Sequence, residues 1–164
     1  TFTAMILAFE HYTSAESRLG RLIKWWERYP YVHVELIFEE HDWVCFSART
    51  KEDGVYLKPF KDVVRTIDHW KGYRLPIVSE AATYEATIPL IGKEFGYSNI
   101  ANSQVFKNLR TDPNNRFCSQ GIYEVLTQTT ALPLPIMLSN TVTPKLLHEW
   151  VLGMDYPEVN LIKP

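Results

Sequence analysis

Tyr31-Val32-His33-Val34-Glu35-Leu36-Ile37-Phe38 is a run of β-branched, aromatic and aliphatic residues interrupted only by His33 and Glu35. A run of this length and composition predicts a strand. Side chains alternate across a strand, so His33 and Glu35 fall on one face of it. An imidazole inside an apolar strand is costly to bury unless its nitrogens find partners. Taken alone, such a histidine is a satisfied structural residue.

Outward from this strand, the polar group Glu39 to Asp42 separates it from a second strand-like run, Trp43 to Ala48, and the pair reads as a hairpin. Asp53-Gly54 marks the next turn. Val55 to Leu57 and Gly72 to Leu75 are short strands, and Lys61 to Arg65 between them is left unassigned. Upstream, Ala4 to Phe9 is a further apolar, strand-like stretch. From Ser14 to Arg28, Leu19, Leu22, Ile23, Trp25 and Trp26 recur at helical spacing, with Ser14 or Ser17 as N-cap and Pro30 closing the helix. Downstream, Ser79 to about Gly92 is helical in pattern but carries Pro89, which predicts a kinked, short or split helix. Lys107 to Arg116 is polar and reads as an exposed loop. A helix then begins near Cys118 and runs through Ile122, Val125 and Leu126, and Thr143-Pro144 opens a last one with N-cap and N1 chemistry. With no repeat and no shift in composition, residues 1–164 are expected to form one α+β domain, an antiparallel sheet packed against helices.

Composition narrows the function. A formal charge of -2 over 164 residues gives no field for gathering nucleic acid, and there is no polybasic run for a membrane surface. No apolar stretch suggests an integral membrane segment. Thr1 to Glu10 lacks a basic n-region and a small-residue cleavage site, so it reads as a strand rather than a signal peptide, and a soluble, cytoplasmic location is expected. Two cysteines, Cys45 and Cys118, are too few for a disulfide framework. The histidines show no HxH, HxxxH or CxxC company, so neither a metal nor another cofactor is expected.

Cys118 stands at the first turn of its helix, after a loop. Unpaired N–H groups and the positive end of the helix dipole favour an anion there, and hence a thiolate. A lone cysteine is nevertheless most often a small core residue. Cys118 gains meaning from its combination with His33 and from the order of the two.

On these residues the chain resembles the circularly permuted NlpC/P60 papain-like cysteine hydrolases. The resemblance rests on Tyr31 to Phe38, then Cys45-Phe46-Ser47-Ala48-Arg49 and Asp53-Gly54-Val55, then Phe117-Cys118-Ser119-Gln120. It is similar in particular to small bacterial and phage members, where Leu22-Ile23-Lys24-Trp25 and His69-Trp70 also have counterparts. In that family the histidine strand precedes the cysteine helix. The resemblance implies a papain-like fold, with Cys118 as nucleophile and His33 as general base, and amide or peptide hydrolysis through a thioacyl-enzyme. Peptides, peptidoglycan fragments or acyl lipids are the implied substrates; ester or thioester hydrolysis, acyl transfer, or a catalytically silent binding module are the rival readings. No oligomeric state is implied.

The chain departs from the family pattern at two places. Gln120 stands where an acidic residue commonly follows the nucleophile's serine, and is expected to bear on substrate choice. The third catalytic residue of the family is polar, often Glu, on the strand after the histidine; the matching segment offers Ser47. Glu35 shares the His33 face, but spacing of two along a strand ordinarily makes neighbours rather than ring contacts. Ser47 therefore ranks ahead of Glu35. Cys45 reads as core, His41 as solvated in its turn, and Trp70 as a packing residue that is also placed to line the cleft and touch substrate.

Overall fold

The computed structural model describes residues 5–11, 29–49, 54–77, 79–95, 115–116 and 118–162. The helix expected over Ser14 to Arg28 and most of the loop expected over Lys107 to Arg116 lie outside them. The described residues form an α+β structure around a six-stranded sheet. Its strands are β1 (Met5–His11), β2 (Tyr31–Phe38), β3 (Val44–Arg49), β4 (Gly54–Pro59), β5 (Trp70–Leu75) and β8 (Glu158–Val159). They lie in the order β4-β3-β2-β1-β5-β8, every adjacent pair antiparallel. Two short strands, β6 (Glu94–Phe95) and β7 (Asn115–Arg116), pair in parallel as a separate ribbon.

Alternation along the strands divides the core in two. Met5, Leu7 and Phe9 of β1, Val34, Leu36 and Phe38 of β2, and Phe46 and Ala48 of β3 point to one face. There they meet Ile122, Val125 and Leu126 of helix α3 (Cys118–Thr129) and Leu147, Trp150 and Val151 of helix α4 (Pro144–Gly153). The alternate residues, Ile6, Ala8, Ile37 and Cys45, form a smaller cluster on the other face with Trp43, Phe60, Val64, Trp70 and Leu161. Burying both faces removes from water most of the large apolar side chains, at roughly 25 cal/mol per Å² of apolar surface. Gly72 is small for a reason: a Cβ there would sit 2.6 Å from Leu161 Cδ2, so its absence lets the C-terminal segment lie flat on β5.

The β2–β3 connection is tight and strained. A single turn over Glu39–His41 is followed by Asp42 and Trp43, both left-handed at φ 54° and 58°. Asp tolerates that region and Trp does not; the Trp43 ring, buried edge-on against Phe60 at 5.3 Å, offsets the cost. His41, expected to be solvated, is instead anchored. Its backbone N–H and Nδ1–H donate to the buried Glu80 carboxylate at 3.0 and 2.8 Å, and its ring stacks on Tyr84 at 3.9 Å.

The unassigned Lys61 to Arg65 segment contains the end of a one-turn helix, α1 (Phe60–Val63). Pro89 has the expected effect: helix α2 (Ala81–Thr87) ends before it, and Ile88–Leu90 tightens to a 3-10 turn. Thr143 caps α4, its hydroxyl accepting from Leu146 N–H at 3.1 Å, with Pro144 as first helical residue. Among the described residues no helix is long and apolar enough to cross a membrane.

Candidate active site

The β1–β2 ladder runs the length of both strands, whereas β2 and β3 pair only over Leu36–Phe38 with Val44–Phe46. The sheet therefore opens between the His33 end of β2 and the Arg49 end of β3. Helix α3 packs on one face and carries Cys118 at its first residue; His33 belongs by alternation to the other face. They meet at the opening, where the Cys118 thiol and the His33 ring are hydrogen-bonding neighbours. Both are buried, Cys118 to 6% exposure and His33 to 9%.

Ser119 holds the start of α3 in place, its hydroxyl donating to Val142 O at 2.7 Å. At the far end of the helix Thr83 and Thr129 share a hydroxyl–hydroxyl bond of 2.6 Å that ties α3 to α2. The helix that carries Cys118 is thus fixed at both ends by short polar contacts and along its length by the apolar core.

Glu35 is the carboxylate bonded to the His33 ring. His33 Nε2–H donates to Glu35 Oε1 at 2.6 Å, and Glu35 is fully buried. With Nε2 committed to Glu35, Nδ1 is the nitrogen left for Cys118. Ser47, ranked ahead of Glu35 from sequence, is not there: its hydroxyl donates to Val34 O at 2.7 Å, bridging the opened strands. The ranking is reversed because long side chains at i and i+2 can lean together along a strand, which spacing alone does not show.

The carboxylate has further company. Tyr56 of β4 donates its hydroxyl to the same Oε1. Arg49 Nε donates to Tyr56 Oη at 3.1 Å and lies 3.6 Å from Glu35 Oε1, and its Nη2 reaches both oxygens of Glu10 at 3.4 Å. Trp70 stands edge-on to the His33 ring at 6.2 Å, with the Arg49 guanidinium 5.8 Å from its centroid. Sequence reasoning does not single out Glu10, Arg49 or Tyr56. The signal available for Arg49 is alternation, since Cys45, Ser47 and Arg49 fall on the His33 face of the sheet.

Opposing influences act on the His33 ring. Burial opposes a charge on His33, and so does Arg49, whose Nε lies 3.1 Å from Nε2. Attraction to Cys118, a hydrogen bond donated to its sulfur and the Glu35 hydrogen bond outweigh both, and the ring pKa is raised to about 9. Burial first, then the neighbouring Glu35, pushes the Tyr56 phenol well above its ordinary value, so it remains a donor throughout the working range. Cys45 contrasts with Cys118. It is fully buried, burial drives its thiol pKa up, and its S–H points at Trp43 O.

Both residues expected to touch substrate, Gln120 and Trp70, are buried. Gln120 is fully buried, so its side chain faces protein rather than solvent. Trp70 is 7% exposed and packs in the second core while walling the imidazole. Among the described residues no three His, Cys, Asp or Glu side chains gather as a metal site. Cys118, His33 and Glu35 in line make an arrangement competent for nucleophilic attack on a carbonyl, the sulfur attacking and the imidazole handling the proton. No protein-family model and no curated protein matches the chain.

Proposed function

We propose that this chain is a cysteine hydrolase of the circularly permuted NlpC/P60 papain-like type, cleaving amide or peptide bonds. The observation that carries the reading is the continuous contact from Cys118 through His33 to Glu35, buried at the point where the sheet opens. In the first step the Cys118 thiolate adds to the carbonyl carbon and a C–S bond forms. The C–N bond then breaks, and the His33 imidazolium gives its proton to the departing amine. In the second step neutral His33 takes a proton from water, hydroxide oxygen displaces sulfur from the thioester, and the acid product leaves with thiolate and imidazolium restored. The Cys118 backbone N–H, at the free N-terminus of α3, is one donor for the developing oxyanion.

The rival reading as a catalytically silent binding module draws its force from the lack of an acidic third residue on β3. The Glu35 carboxylate offered from β2 supports the hydrolase reading over this one. The reading is tested by incubating the protein with peptides, peptidoglycan fragments and acyl lipids and locating mass-shifted peptides. An acyl adduct on Cys118 from an amide substrate, absent in Cys118→Ala, is expected. Adducts from acyl lipids alone would move the reading to ester, thioester or acyl-transfer chemistry; none at all, or labelling confined to Cys45, would sink it.

A further inference from the structure

Glu35 Oε1 accepts from two donors, His33 Nε2–H and Tyr56 O–H, while Oε2 has no hydrogen-bond partner among the described residues. One oxygen of a fully buried carboxylate carries both bonds. Rotating the carboxyl group to share them between its oxygens would break at least one of them inside the protein, where a lost bond is costly. The phenol comes from β4, two strands beyond β2 in the sheet, and spans the gap left where β3 parts from β2. It is itself held by the Arg49 Nε donor at 3.1 Å. We propose that Tyr56 is a positioning residue: by pinning Glu35 Oε1 it sets the carboxylate against His33, and so fixes the ring on which Cys118 depends. This rests on the proposed role of the Cys118, His33 and Glu35 line and extends it to a further strand.

The groups around His33 are Glu10 of β1, its partner across the ladder, Glu35 beside it on β2, Arg49 of β3, Tyr56 of β4, Trp70 of β5 and Cys118 of α3. Arg49 and Cys118 act on the ring by charge. Tyr56 is neutral and its hydroxyl bonds to Glu35 and Arg49 rather than to the ring, so its effect on His33 passes through one of these two, and a Glu35→Gln background tells the routes apart. That separates a positioning role from general packing.

The test follows the His33 ring by NMR titration in the full chain without substrate. Its pKa, about 9 in the parent, is expected to fall by about one unit in Tyr56→Phe, the size of losing one hydrogen bond to a charged group. In a Glu35→Gln background the same Tyr56→Phe change is expected to move it no further. No fall in the first background, or an equal fall in both, overturns the proposal. If Tyr56→Phe does not fold, a 13Cζ-tyrosine titration of the parent and of Glu35→Gln decides. Tyr56 ionising at a lower pH in Glu35→Gln than in the parent supports the pinned donor, and the same ionisation in both overturns it. None of these measurements needs turnover. A missing Cys118 adduct would therefore remove the hydrolase reading without touching this result, and an unmoved His33 would remove Tyr56 while leaving the adduct intact.

Discussion

Glu35 Oε1 lies 2.6 Å from His33 Nε2 although the two residues are only two apart on one strand. Their Cα atoms are roughly 6.6 Å apart in an extended chain, so neither side chain needs to leave the strand's face to close the gap. A histidine and the carboxylate that orients it are thereby carried on one rigid element. The pair arrives at the opening of the sheet on one strand, and Tyr56 of β4 adds a second hold on its carboxylate.

Removing the sulfur should expose what it does for the ring. Burial and Arg49 both disfavour a charged His33, and Cys118 is the larger of the two influences that offset them. In Cys118→Ala, or Cys118→Ser, the His33 pKa is therefore expected to drop from about 9 to below its ordinary 6.5. NMR titration of the imidazole reads this directly. In the parent, hydrolysis is expected to fall as pH rises through about 9, because the leaving amine loses its proton donor. A ring that titrates near 6.5 in both proteins would mean that the thiol and the imidazole are not coupled.

Glu35 bonds the imidazole and Ser47 bonds the Val34 carbonyl, so the two should fail differently. Glu35→Gln preserves size but weakens the acceptor for Nε2–H, and kcat/KM is expected to fall on the order of 10- to 100-fold. Ser47→Ala removes a buried donor to Val34 O and leaves the ring untouched, so activity is expected to hold while stability drops by about 1 kcal/mol. Paired kinetics and urea unfolding separate the two. Equal kinetic losses would restore Ser47 to the third position.

Much of this site is legible in the sequence because strand alternation and helix starts are local. Tyr31 to Phe38 announces its strand and the shared face of His33 and Glu35, and Thr143-Pro144 announces its helix to the residue. What local pattern does not carry is the opening of β2 from β3, which depends on where a ladder stops pairing. The choice between Ser47 and Glu35 turns on that opening. It pulls Ser47 into bridging Val34 O, a backbone carbonyl that the ladder would otherwise have satisfied. His41 departs from expectation for a similar reason. Its partner Glu80 is 39 residues away, and nothing in a polar turn signals a distant buried carboxylate.

The cap of α4 offers a check on the scaffold that does not involve the site. Thr143 Oγ1 accepts from Leu146 N–H, and Thr143 is itself buried. Thr143→Val keeps the shape and deletes the acceptor, and a loss of about 1 kcal/mol in thermal or urea unfolding is expected with no change in Cys118 labelling. Thr143→Asn should recover part of it. A Val variant as stable as the parent would show that the bond adds nothing net.

Two buried histidines, His148 and His33, should bend the stability curve in opposite directions. His148 packs among Phe9, Tyr31 and Tyr73 and shares hydrogen bonds with the Tyr29 and Tyr73 hydroxyls. Burial first, then the Lys71 charge, lowers its pKa from 6.5 to about 4, with Glu158 opposing. Between those values the unfolded chain binds a proton that the folded one refuses, so this contribution is whole above 6.5 and fades as pH falls toward 4. His33 has the reverse sign. Its pKa is raised from 6.5 to about 9, so its contribution is whole below 6.5 and fades as pH rises through 9. Together they place the stability maximum near pH 6.5, between two limbs of different origin. In His148→Gln, which keeps a hydrogen-bonding side chain but cannot titrate, the loss of about 1 to 2 kcal/mol expected between pH 6.5 and about 5 should flatten. The alkaline limb should remain. Thermal unfolding of both proteins across roughly pH 5 to 9 tests this, and an acid limb equally steep in the variant would assign it to the carboxylates instead.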